Sequence, residues 1–258
     1  MEITSPSFVG FVAGVVIAFH ITPSRIYRLA LLTLANVIFI GTYISELREI
    51  VPLLAFLLLG YGTIELVRRH RSGIAAMIGI SSILMTYLYL KRVAIFGDLY
   101  TLKFSYLTVG LSYILFRVIH LIIDVRSGDI TEPIKPLAFF DYTCNFLTFV
   151  SGPIQLYQKF TRDVGQCPNQ DKERLSADFV FAALRRIISG YVKVLIISGI
   201  ADYLFLRISG RILKPDVTYE SGRLIAEYGL CAAAYTIYLY FNFSGYMDIV
   251  IGVGRLLS

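Results

Sequence analysis

The feature that most constrains this chain is a succession of apolar runs, several of which approach or exceed the ~20 residues that cross a hydrocarbon core as a helix. Residues 8–21, 26–44, 51–67, 74–90 and 104–123 form such runs, joined by short polar or basic connections. In lipid, backbone amides must bond within their own segment or within a closed barrel. Runs of this length fit helices. The sequence therefore predicts an all-α polytopic transmembrane helical bundle, about seven to nine apolar segments in all, some of them broken or re-entrant.

Charge agrees with that reading. Only 16% of the 258 residues are charged, against about 25% in soluble domains, which excludes an ordinary soluble enzyme. The net charge of +6 comes from short clusters such as Arg68-Arg-His-Arg71 and Lys91-Arg92 between apolar runs. Membrane topology demands that pattern, whereas a nucleic-acid partner would need a basic face. The first partner is thus the lipid bilayer, and no nucleic acid is expected. Basic residues after the first and third runs place those connections in the cytoplasm and the N-terminus outside. Lys91-Arg92 then falls on the wrong side, unless a partial span lies between Ala94 and Tyr106. Residues 1–7 lack a positive n-region, so the first run reads as a retained helix. Cys144, Cys167 and Cys231 are isolated and suggest neither a disulfide framework nor a metal site.

Ionisable and helix-breaking residues inside apolar runs single out the candidate site, because polar groups in lipid are expensive and therefore usually functional or paired. Arg117, His120 and Asp124 stand at helical spacings that give them one face, and an ion pair between Arg117 and Asp124 is the simplest account of them. Residues 137–157 are apolar and aromatic but are interrupted at Ser151-Gly152-Pro153, where the missing proline donor should break the helix. Broken backbone at that depth must be buried in protein or line a wet cavity, and Gln155 projects an amide at the break. The polar stretch 161–174 is an extramembrane loop, after which Ser176 resembles a helix start. Beyond it Arg186 and Lys193 share a face; snorkelling accounts for Arg186 more easily than for Lys193.

The last run carries Tyr240-Phe-Asn-Phe-Ser-Gly-Tyr-Met-Asp248 into the membrane. Ser244 and Asp248 are one helical turn apart and share a face, with Asn242 about 160° round from Ser244. Gly245, Gly252 and Gly254 should weaken the helix and let a backbone or a substrate come close.

The segment Tyr240-Phe-Asn-Phe-Ser-Gly-Tyr-Met-Asp-Ile-Val-Ile-Gly252 resembles the signature of the membrane-bound O-acyltransferase family, in the bacterial branch of alginate O-acetylases and teichoic acid D-alanyl transferases. Phe149-Val-Ser-Gly-Pro-Ile-Gln155 and Gly190-Tyr-Val-Lys193 with Ala201-Asp202 are similar to further segments of that branch, and the likeness extends over roughly residues 105–258. The branch carries Asp where this chain has Asn242, and its Lys-to-Asp spacing is shorter than the Lys193–Asp202 spacing here by nearly one turn. The resemblance implies transfer of an acyl group from a thioester donor (acyl-CoA or acyl carrier protein) to a hydroxyl of a cell-envelope polysaccharide. It also implies an integral protein of the bacterial cytoplasmic membrane, with a carrier protein, an envelope acceptor or a partner acyltransferase as associates.

In the family a histidine within an Arg-Trp-His segment acts as general base. This chain has His20, His70 and His120 and no Trp, so that segment is expected beyond Ser258 and no catalytic residue is assigned here. Residues 1–258 then read as one membrane domain, the N-terminal portion of a longer fold, inactive alone. Gln155, Lys193, Asn242, Ser244, Asp248, His120, Arg117 and Asp124 are the candidate cavity-lining residues, with Gly152, Pro153 and Gly245 shaping the backbone. No bound cofactor and no metal ligand set are expected. A second class stays open: a transporter or channel with its substrate site at the broken helix near Pro153.

Overall fold

The computed structural model describes residues 3–22, 24–44, 48, 50–91, 110–150, 152–165, 176–212 and 221–257. The partial span between Ala94 and Tyr106, the start of the fifth run and most of the 161–174 loop lie outside the described residues. Most of the described residues are helical, with no strand among them. Helices α1 (Pro6–Ile21), α2 (Arg25–Gly41), α3 (Ile50–His70), α4 (Gly73–Leu90) and α5 (Leu111–Ser127) correspond to the apolar runs. Short helices α6 (Pro136–Thr143) and α7 (Tyr157–Gly165) follow, then α8 (Ala177–Tyr191), a π-helix (Val192–Ser198), α9 (Gly199–Ile212) and α10 (Ser221–Leu256). By length and composition α3, α4 and residues 224–256 of α10 can each cross a membrane.

The chain forms two compact units, the first comprising residues 13–169 and the second residues 2–12 with 170–258. In the first unit α3, α4 and α5 pack on one another, and α2 packs on α6 and α7. Small residues permit the close approaches: Gly60 of α3 lies against Val118 of α5, and Gly79 of α4 against Thr63 of α3. Ser72 caps α4 by accepting from the Ala75 amide at 3.3 Å, and Gly128 (φ +90°) closes α5 in the left-handed conformation that glycine adopts without strain. At the end of α3, Glu65 accepts from Arg68 at 2.6 Å and from Arg69 at 2.8 Å, a local ion triplet.

The second unit is built on two long antiparallel rods. One is α8, the π-helix and α9 running without interruption; the other is α10, which packs along all three. Ser176 caps α8 through the Phe179 amide at 3.3 Å, as its place in the sequence predicts. Alpha10 stays helical through Gly245, Gly252 and Gly254, contrary to the expected weakening. Two of those glycines instead mark helix crossings. A Cβ on Gly245 would stand 2.6 Å from the Gly190 carbonyl oxygen, and one on Gly252 would stand 3.0 Å from that of Ala183. Only 6% of the apolar window in α10 is buried within the chain, which leaves most of its surface to lipid or other protein.

Candidate functional site: an ion cluster on α10

The second unit brings three of the sequence candidates together and adds a fourth. Lys193 Nζ donates to Asp248 Oδ2 at 2.6 Å and to Ser244 Oγ at 3.1 Å. Arg186 Nε donates to Asp248 Oδ1 at 2.9 Å. Each carboxylate oxygen thus serves a different cation. Ser244 and Asp248 are presented together by the one-turn spacing on α10, and the seven positions from Arg186 to Lys193 are two turns of the opposite rod. The crossing of Gly190 and Gly245 sets the distance between the rods. With larger side chains there, the backbones would part and the Lys193–Asp248 bond would lengthen.

The π-helix begins at Val192, next to Lys193. Such turns bond i to i+5 and place an extra residue in the turn, so they re-aim the side chains around them and recur at functional sites. Asn242 takes no part in these bonds.

The cluster is only partly sealed. Asp248 is 16% exposed, Lys193 27% and Arg186 35%. Arg186 is more than a snorkelling cation: its guanidinium Nε reaches the carboxylate, and an acid flanked by two cations is far less costly at a membrane than the acid alone.

The first unit holds a second set of polar groups, and it serves the backbone. Arg117, 2% exposed, donates from Nη1 to the Thr143 carbonyl at 2.7 Å and from Nη2 to the Thr148 carbonyl. The expected Arg117–Asp124 pair does not form. Asp124 Oδ1 faces His120 Nε2 at 3.5 Å instead, and its Oδ2 is buried without a hydrogen-bond partner.

The irregular segment itself differs from expectation. Alpha6 stops at Thr143, well before Gly152-Pro153, and residues 144–150 and 152–156 carry no regular helix. A proline alone would break only the turn before it. The longer break is tolerated because its polar backbone atoms are met: Arg117 takes two carbonyls, and Asn36 Oδ1 accepts from the Phe146 amide at 2.8 Å. Phe39 adds apolar anchorage, its ring centroid 6.2 Å from those of Phe146 and Phe149. Gly110 (φ +93°) lies against Phe149, where a Cβ would meet the Phe149 carbonyl oxygen at 2.8 Å. Gln155 Nε2 donates to Asp163 Oδ2 at 2.8 Å, and the Gln155 backbone carbonyl accepts from the Tyr142 hydroxyl at 2.7 Å. Gly152 adopts φ +149° immediately before Pro153.

Asp141 escaped the sequence reading. It is fully buried, with Asn36 Nδ2 donating to Oδ1 at 3.1 Å and Thr33 Oγ1 lying 2.9 Å from Oδ2. An acid in the middle of an apolar-aromatic stretch was the available signal. Among the described residues, no group of three or more His, Cys, Asp or Glu is arranged to hold a metal ion.

These features define a helical membrane protein with an ion cluster held between two long rods and a broken segment held by buried polar groups. No protein-family model matches the chain. Curated proteins do. The chain is 27% identical over 153 residues to teichoic acid D-alanyltransferase of Bacillus subtilis, a match covering 58% of this chain and 35% of that protein. It is 28% identical over 158 residues to the enzyme of the same name from Lacticaseibacillus rhamnosus, covering 58% and 36%. Against the probable alginate O-acetylase of Azotobacter vinelandii it is 30% identical over 156 residues, covering 59% and 28%. The chain thus spans about a third of the length of the curated relatives it matches. Over the matched residues it is homologous to the membrane-bound O-acyltransferases of the teichoic acid D-alanyltransferase and alginate O-acetylase branch. The bacterial-membrane setting follows from those relatives and from the apolar spans.

Proposed function

We propose that this chain is part of a membrane-bound O-acyltransferase that moves an acyl group from a thioester donor, acyl-CoA or an acyl carrier protein, to a hydroxyl of a cell-envelope polymer. The observation that carries the reading is the Arg186–Lys193–Ser244–Asp248 cluster, built on the segment in which the family resemblance is written. In this reading the cluster orients a polar ligand at the membrane, where its fixed charges are stronger than in water. Asp248 holds both cations in place. Lys193 and the Ser244 hydroxyl supply donors, and Gly245 keeps the rods close enough for all four groups to meet.

The role of the broken segment is to present backbone and Gln155 where a helix could not pass. The associates that fit this reading are an acyl-donor carrier protein and an envelope acceptor or a partner acyltransferase. The test is chemical. Envelope polymers from cells lacking the gene and from cells restored with it are treated with mild base, and the released acyl groups are measured. The reading expects ester content to fall on deletion and to return on restoration. Unchanged ester content, with altered uptake of a solute, would instead favour a transporter built around the break near Pro153.

A further inference from the structure

Two cations share one carboxylate in the second unit, so the cluster carries one uncompensated positive charge. Its Arg186 is only half used. Nε is bonded to Asp248, whereas the two terminal nitrogens bond to no described residue, and the side chain is 35% exposed. A guanidinium with one edge fixed and its remaining donors open is a fork for an oxyanion.

The depth of the cluster indicates which oxyanion. Along α10, residues 228–247 contain no Asp, Glu, Lys or Arg, a stretch about as long as the ~20 residues that span a hydrocarbon core. Asp248 is the first charge after it, and Glu227 is the last before it. The opposite rod runs antiparallel, with Phe205 beside Tyr235 (ring centroids 5.0 Å apart) and Gly190 beside Gly245. Arg186 and Lys193 therefore lie toward the same end as Asp248. That end of the apolar stretch is the level of lipid headgroups, where phosphate is the abundant anion.

We infer that Arg186, held by Asp248 and flanked by Lys193, binds a phosphate group at the edge of the membrane. Its source is either an anionic phospholipid headgroup or a water-soluble phosphate. The site does not depend on the acyltransferase reading, since binding is measured without turnover. Asp248 prevents the cations from repelling each other and turns the open edge of the guanidinium away from itself. Lys193 adds charge from the neighbouring position, and its bond to Ser244 fixes its direction.

The experiment uses the full chain in a phosphate-free maltoside detergent. Phosphatidylglycerol in mixed micelles and inorganic phosphate are titrated separately, with native mass spectrometry counting adducts and thermal unfolding reporting stabilisation. The wild-type chain is expected to hold one adduct of at least one probe and to unfold at higher temperature with it. Arg186→Gln is expected to weaken that binding about tenfold or more, from the loss of a charge-assisted contact. Arg186→Lys keeps the charge but lacks the fork, so it serves as the second variant if the first fails to fold, and it too is expected to bind weakly. Arg185→Gln, on the adjacent exposed position, is expected to bind as wild type. Binding of the lipid alone identifies a headgroup site, and binding of inorganic phosphate alone a soluble ligand. The inference is overturned if neither probe binds, or if Arg185→Gln loses as much affinity as the Arg186 variants.

Discussion

One set of charged groups in each unit lies in apolar surroundings, and the two sets dispose of their charge in opposite ways. In the first, Arg117 and Asp141 are sealed (2% and 0% exposed) and their bonds run to backbone carbonyls or to neutral side chains. In the second, the charges meet one another, remain 16–35% exposed, and leave guanidinium donors open. Arg117 and Asp141 spend their hydrogen-bonding capacity inside the protein, whereas Arg186 keeps part of its own open. Arg117 illustrates the first case: it stands in for the helical bonds that residues 143–148 do not make.

The comparison predicts a graded series of effects. The largest falls on Arg117→Met, which keeps the bulk but strands the carbonyls of Thr143 and Thr148. At about 1–3 kcal/mol for each stranded group, a loss of about 4 kcal/mol is expected, read as collapse of the folded peak in detergent gel filtration. Asp141→Ala is next, at about 2–3 kcal/mol, since Asn36 Nδ2 loses its acceptor in a sealed site, while the Thr33 hydroxyl still has the Leu29 carbonyl. Gly245→Ala follows at about 2 kcal/mol, because its Cβ would sit 2.6 Å from a backbone oxygen that has no room to retreat.

The conservative Asp141→Asn change separates charge from hydrogen bonding in the first unit. Its oxygen still accepts from Asn36, and the new amide donates to Thr33 Oγ1, whose own proton goes to the Leu29 carbonyl 2.9 Å away. A shift below about 1 kcal/mol is expected, and a large loss would mean that the carboxylate charge itself is needed. The smallest effect belongs to Gly254→Ala. Nothing lies within 4 Å of the added methyl, so thermal unfolding should be unchanged or raised by up to about 1 kcal/mol.

The same contrast explains what was legible in the sequence. Helices α1 to α5 followed from apolar run length, and the α8 start from Ser176, because both signals are local. The one-turn spacing of Ser244 and Asp248 gave their shared face, and Lys193 stood out as a charge with no nearby water. The shared face of Arg186 and Lys193 was legible, but the acid that Arg186 meets was not, because that partner is 62 residues away. Asp141 and Asn36, 105 residues apart, posed the same difficulty. The break looked like a proline effect since Gly152-Pro153 is conspicuous. Its real extent depends on Arg117, whose partners are carbonyls, and carbonyls have no sequence signature. The π-helix has none either.

The most direct test of the account places one residue from each unit in the same assay. Lys193→Met and Asp141→Asn are introduced into the full gene, membrane levels of the protein are matched by immunoblot, and base-labile acyl ester on the envelope polymer is measured. The account predicts ester content near wild type for Asp141→Asn and a fall below about a tenth for Lys193→Met, equivalent to at least about 1.4 kcal/mol of lost ligand or transition-state stabilisation. Full ester content with Lys193→Met, at matched protein level, would contradict it and return the ion cluster to a purely structural role.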